Sequence, residues 1–134
     1  MTSLNGKWIY RSFRPNDGKP TLVPWAPAGT LEATTDDSGR VTGTLTFPSA
    51  PGLAFTVNGC TTMAAGQLPA GVELIGESGS HSSINKLVGY FANDAQQQLV
   101  VGSITAVRND PARQPDGTVG TFVLIALGDA VEPR

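Results

Sequence analysis

Apolar and polar residues alternate through most of the chain, and glycine, proline or acidic turns separate the alternating runs. Alternation rich in Thr, Val, Ile and aromatic residues is typical of strands that bury one face, and helical spacing is hard to find. The pattern predicts eight strands, at 7–14, 29–35, 40–47, 53–62, 71–78, 84–93, 99–107 and 118–127. Short strands in such regular succession predict an all-β fold, an eight-stranded antiparallel up-and-down β-barrel without open edges.

The segments between the strands differ in length. Asp36-Asp37-Ser38-Gly39 predicts a tight polar turn, and Asn58-Gly59 is a candidate interruption of the fourth strand. Segments 15–28 and 109–117 are longer than a hairpin requires and predict loops over a barrel mouth. Trp25, in the first of them, is either a lid packed on the core or a contact for a ligand.

Alternate residues of each strand should face the barrel interior. Trp8 then forms an apolar floor, and the rest of the lining is apolar with few polar groups. Two interpretations stay open, because an eight-stranded barrel can be filled by its own side chains or can hold a small ligand. The candidate ligand-contacting residues are Tyr10, Ser12, Trp25, Leu45, Phe47, Asn85, Leu87, Ile104 and Phe122.

The eighth predicted strand is apolar on its outward face as well, through Val119, Val123, Ile125 and Leu127. A strand that is apolar on both faces should be covered on both faces. We therefore expect a homo-oligomer, a dimer or tetramer, formed through the sixth to eighth predicted strands. The alternative is that the tail at 128–134 folds over this surface.

Composition narrows the class of protein. The 134 residues suit a single domain, 1–134. The net charge is −2 and the basic residues are scattered, so the sequence shows no basic patch of the kind that binds nucleic acid. No apolar run reaches the ~18 residues of a membrane-spanning helix, and no signal peptide is visible at the start. Cys60 is the only cysteine, which excludes an intrachain disulfide. We expect a soluble protein, either of a reducing compartment, with the cytoplasm favoured, or secreted without a need for disulfides.

Catalytic and metal-binding patterns are sparse. His81 is the only histidine, so we expect no metal site and no cofactor. A serine–histidine pair near His81 would need Glu73 or Glu77 as its orienting carboxylate, and a solvated hairpin loop explains the segment better. Arg108 is either stacked over Trp8 at the floor or exposed at the surface.

Several motifs resemble the avidin and streptavidin family, with lipocalin-like barrels as a second choice. Leu4-Asn5-Gly6-Lys7-Trp8 is similar to the opening Leu-Thr-Gly-Thr-Trp of avidin barrels and to the Gly-x-Trp of lipocalins. The hairpin at 29–45, Phe55–Gly59, Leu87–Tyr90 and Thr118–Phe122 follow in the family's order. The resemblance covers nearly the whole chain and implies the same barrel and an oligomer.

The resemblance does not extend to the biotin site. Tyr10 and Leu45 stand where the family has an Asn and a Tyr on the ureido oxygen. Three cavity tryptophans of the family are replaced here by Gly76, Leu87 and Ile104. The family's closing Asp is replaced by Phe122. Because each polar group left unpaired costs about 1–3 kcal/mol, biotin is excluded as a tight ligand.

Three functions remain open from the sequence. The first is a non-catalytic barrel that binds an apolar or aromatic small molecule. The second is a small β-barrel enzyme of the cyclase or isomerase type, in which Tyr10 and Asn85 polarise an apolar substrate. The third is a structural or interaction protein with a filled core. A cavity below ~300 Å³ would favour the third.

Overall fold

The alternating pattern produces nine antiparallel strands in the computed structural model, which describes residues 3–79, 83–108 and 116–127. The strands are β1 Gly6–Asn16, β2 Lys19–Pro24, β3 Gly29–Thr35, β4 Arg40–Thr46, β5 Ala54–Thr62, β6 Gly71–Ser78, β7 Ser83–Phe91, β8 Leu99–Arg108 and β9 Val119–Leu127. Eight of them close into an antiparallel barrel, and β2 is an additional strand outside it. The predicted all-β barrel is thus confirmed.

Strands adjacent along the chain pair with one another from β3 to β9, and β1 closes the cylinder by pairing with both β3 and β9. Lys7 to Phe13 of β1 lie opposite Leu127 to Thr121 of β9. Closure leaves no unpaired strand edge in the barrel itself. The alternation sets the interior, since Val41 and Leu45 on β4 are buried while Thr42 and Thr44 are exposed.

The extra strand corrects the prediction of a long loop at 15–28. β1 continues to Asn16, and Asp17 and Gly18 turn the chain with φ angles of 21° and 72°. β2 then pairs back along Phe13 to Asn16. The prolines in this segment favoured a loop, but a two-stranded ribbon outside the barrel has free edges, where the missing proline N–H breaks no ladder bond.

The candidate interruption at Asn58-Gly59 is also wrong, because β5 runs through it without a break. Gly59 lies between Val41 and Leu74 on the neighbouring strands. A Cβ at this position would collide with the backbone carbonyl oxygen of Glu73. Glycine is therefore present here because the strands approach closely, and the strand does not end.

One end of the barrel is filled by its own side chains. Trp8 is 1% exposed, and its Nε1 donates a hydrogen bond to the carbonyl oxygen of Leu4 at 3.0 Å. Leu4 is itself held by its backbone N–H, which donates to Thr35 Oγ1 at 2.9 Å. The predicted apolar floor at Trp8 is thus confirmed, and we call this the closed end.

Arg108 does not lie over Trp8. It ends β8, is exposed, and pairs with Ile84 near the start of β7. Because Trp8 lies near the start of β1 and pairs with Leu31 and Ala126, Arg108 and Trp8 are at opposite ends of the barrel. Within the described residues, no helix has the length and hydrophobicity needed to cross a bilayer.

Candidate functional site

A cavity of about 400 Å³ occupies the other half of the barrel, which we call the open end. Its wall is formed by inward side chains of β1 and β3 to β9, and its rim by the segments that join strands at this end. The lining residues are Tyr10, Ser12, Arg14, Trp25, Ala26, Pro27, Leu31, Leu45, Phe47, Leu53, Phe55, Val57, Leu74, Gly76, Ser83, Asn85, Leu87, Ile104 and Leu124.

Phe122 is the one predicted ligand contact that does not line this cavity. It is buried at 2% exposure, and its ring tip lies against the backbone of β7 and β8. A Cβ added to Gly89 would lie 2.8 Å from Phe122 Cζ and 3.0 Å from Val100 Cγ1. The space left by Gly89 is thus filled by Phe122, whose ring packs in the core and does not line the cavity.

Aromatic rings define the upper part of the cavity. Trp25 is half-buried at the rim, and its backbone N–H donates to the carbonyl oxygen of Ser12 at 2.9 Å. Its ring covers the backbone of Gly120, where an added Cβ would lie 2.9 Å from Trp25 Cε3. Phe47 contacts Tyr10 edge to face, with ring centroids 6.1 Å apart. Both interpretations of Trp25 fit this position, because it covers the core and lines the cavity.

Four neutral polar side chains are set into the apolar wall, those of Tyr10, Ser12, Ser83 and Asn85. Burial raises the pKa of Tyr10 to about 12, and the nearby Ser12 hydroxyl acts in the opposite direction. Ser12 is 1% exposed, and its Oγ lacks a partner with hydrogen-bond geometry. Asn85 Oδ1 is likewise buried without a partner. Since most buried polar atoms are paired, two such atoms in one cavity wall need an explanation.

Arg14 is the residue that the sequence analysis missed. It lies two positions beyond Ser12 on the same face of β1 and is half-buried at the cavity rim. Continuing the alternation Trp8, Tyr10, Ser12 by one more step would have found it. The wall also includes Leu31, Phe55 and Val57. These were not predicted, because no inward-facing residues were inferred for the second and fourth predicted strands.

The carboxylates considered for catalysis face away from the cavity. Glu73 and Glu77 are exposed on the outer face of β6, while Leu74 and Gly76 between and beside them line the interior. His81 lies outside the described residues. Among the residues that the structure describes, no group of three or more His, Cys, Asp or Glu side chains is placed to hold a metal ion.

No protein-family model matches this sequence. A search of curated proteins finds no match either. The resemblance to avidin barrels therefore stays a prediction from the sequence motifs. The cavity is the feature of the molecule that bears on its function.

Proposed function

We propose that this protein is a non-catalytic barrel that binds a small apolar molecule in the cavity at its open end. The observation that carries the proposal is the cavity, whose volume of about 400 Å³ falls within the ~300–1,000 Å³ of small-molecule sites. A filled-core structural protein would have side chains in this space, as the closed end has. The side chains of Trp25, Phe47 and Leu87 line a compartment suited to one compact molecule.

The chemistry of the wall favours an apolar or aromatic ligand that carries a few polar atoms. Phe47, Leu87 and Ile104 offer dispersion contacts, and Trp25 and Tyr10 offer ring faces and edges. Ser12 Oγ and Asn85 Oδ1 are buried and have no hydrogen-bond partner in the protein, so they are available to polar atoms of a ligand. A ligand that pairs with them is held in one orientation.

An enzyme of the cyclase or isomerase type is the alternative. Tyr10 and Asn85 would polarise its substrate, yet no carboxylate is among the described residues that line the cavity. Tyr10→Phe separates the two functions, because an enzyme would lose rate with little change in affinity. A binding protein would lose only affinity. We do not expect biotin to be the ligand, because Tyr10, Leu45 and Leu87 stand where the avidin-like motifs would place biotin-contacting residues.

Titration with N-phenylnaphthylamine tests the proposal. This uncharged aromatic probe fluoresces strongly only when it leaves water, and we expect saturable binding at one probe per chain. Gly76→Leu should abolish it, because Gly76 lines the cavity and a Cβ there meets only Phe55, at 3.7 Å. The larger side chain therefore fills the cavity without displacing backbone.

Glu77→Leu is the matched control. It introduces the same side chain one position along β6, on the exposed outer face, so probe binding should be unchanged. Circular dichroism and urea unfolding confirm that both variants fold. Binding that survives in Gly76→Leu, or that is absent from the wild-type protein, would contradict the proposed function.

A further inference from the structure

Arg14 is the single charged side chain among the described residues that line the cavity. It is half-buried, and within the described part of the chain its guanidinium makes no ion pair or hydrogen bond. The same wall contains no described carboxylate that could neutralise it. A guanidinium at the rim of an apolar cavity, with no counter-charge among the described lining residues, can pair with a bound anion.

The polar groups of β1 continue from Arg14 into the cavity. Tyr10, Ser12 and Arg14 occupy alternate positions of one strand, so each lies roughly 7 Å from the next along the wall. Ser12 is buried one step below the rim, with its hydroxyl unpaired, and can donate to an acceptor held by Arg14. We call these three residues the β1 polar stripe.

Resting on the proposed function, we propose that the ligand is a small apolar organic anion whose charged group, such as a carboxylate, pairs with Arg14 and accepts a hydrogen bond from Ser12. The apolar body then lies deeper, against the aromatic and aliphatic wall. Arginine suits this role because its planar fork binds a carboxylate through two parallel hydrogen bonds. One arginine balances one negative charge, which disfavours nucleotides and other polyanions.

A matched pair of probes separates the charge from the apolar body. Anilinonaphthalene sulfonate has the ring skeleton of N-phenylnaphthylamine with an added sulfonate. The wild-type protein should bind the sulfonate more tightly than the neutral probe. In Arg14→Gln the ratio of the two affinities should fall by about tenfold or more, the effect of losing a charge-assisted hydrogen bond.

Arg11→Gln controls for net charge. Arg11 lies on the same strand but is exposed on the outer face, where its guanidinium lies 5.6 Å from the centroid of the Phe13 ring. Its loss removes the same charge and should leave the probe preference intact. Ser12→Ala should lower affinity for the sulfonate more than affinity for the neutral probe, which would indicate that the hydroxyl pairs with the anion.

The outcomes distinguish this inference from the function on which it rests. Equal affinity of the wild-type protein for both probes, or an equal loss of preference in Arg14→Gln and Arg11→Gln, overturns the anion site and leaves the binding barrel standing. Sulfonate binding that persists in Gly76→Leu also overturns it, because the probe would then bind outside the cavity. Failure of both probes to bind overturns both proposals.

Discussion

At the scale of single residues, the β1 polar stripe lowers the stability of the fold and provides polar groups for ligand binding. Ser12 has an unpaired hydroxyl, and Tyr10 is buried against Phe47 with its phenol held neutral. A purely structural barrel would be more stable with apolar residues at such positions. Their presence in the cavity wall, beside Arg14, is what connects the residue chemistry to ligand recognition.

Tyr10 predicts a loss of stability at high pH. Burial raises its pKa from 10.0 to about 12, so the folded state resists releasing the proton that the unfolded state releases near pH 10. Its contribution is therefore intact below pH 10 and is lost as the pH rises toward about 12. A shift of this size corresponds to roughly 2–3 kcal/mol.

Urea unfolding at neutral pH and near pH 11.5 measures this effect in the wild-type protein and in Tyr10→Phe. Tyr10→Phe should lose less of its free energy of unfolding than the wild-type protein over that interval. Identical pH dependence of the two proteins would contradict the burial assigned to Tyr10.

Residue-level prediction from the sequence succeeded where alternation decides the answer. Eight of the nine candidate residues line the cavity, since a residue and its neighbour two places along share a face. Phe122 faces inward as expected, yet its ring occupies space left by Gly89. Which glycine gaps are filled depends on side-chain packing across strands, and a one-dimensional pattern does not contain that information.

At the scale of elements, the predicted strands agree with the barrel strands to within about two residues at most ends. The strand boundaries could be predicted because hydrophobic periodicity marks the strands and turn-forming residues mark their ends. Asp36 Oδ1, for example, accepts from the backbone N–H groups of Ser38 and Arg40, both at 2.9 Å, which fixes the predicted tight turn. β2 was missed because prolines in its sequence resemble a loop, and only its position outside the barrel makes them tolerable.

Gly59→Ala tests the reason that β5 runs unbroken. A Cβ there would collide with the Glu73 backbone, so the neighbouring strands must separate, and we expect a loss of about 1–3 kcal/mol in the free energy of unfolding. Gly52→Ala is the control, because nothing lies within 4 Å of its added Cβ. Equal stability of the two variants in urea would show that β5 and β6 are not paired as described.

At the scale of the whole molecule, the barrel has a filled closed end, an open end with a cavity, and an apolar patch on its outer wall. Tyr90, Val101 and Val123 form one cross-strand row over β7, β8 and β9. Leu99, Ile125 and Ile9 form the next row. Tyr90 and Val101 are 39% and 41% exposed, so this outer apolar surface is accessible in the single chain.

We propose that a second copy of the chain covers the outer apolar surface, as the sequence predicted for these strands. A two-fold interface places the same patch on both partners, so an apolar row can pack against its own copy. Val101→Glu should give a species that sediments near 13.9 kDa, while the wild-type protein sediments as a larger one. Thr42→Glu, exposed on β4, should leave the assembly intact. A wild-type monomer at high concentration would contradict this proposal.

The central claim is that the open end of the barrel receives one small molecule. A crystal structure of the protein with N-phenylnaphthylamine tests it most directly. We expect density for the probe between Trp25, Phe47 and Leu87. Density for the probe on the outer wall only, or side chains occupying the open end, would contradict the account.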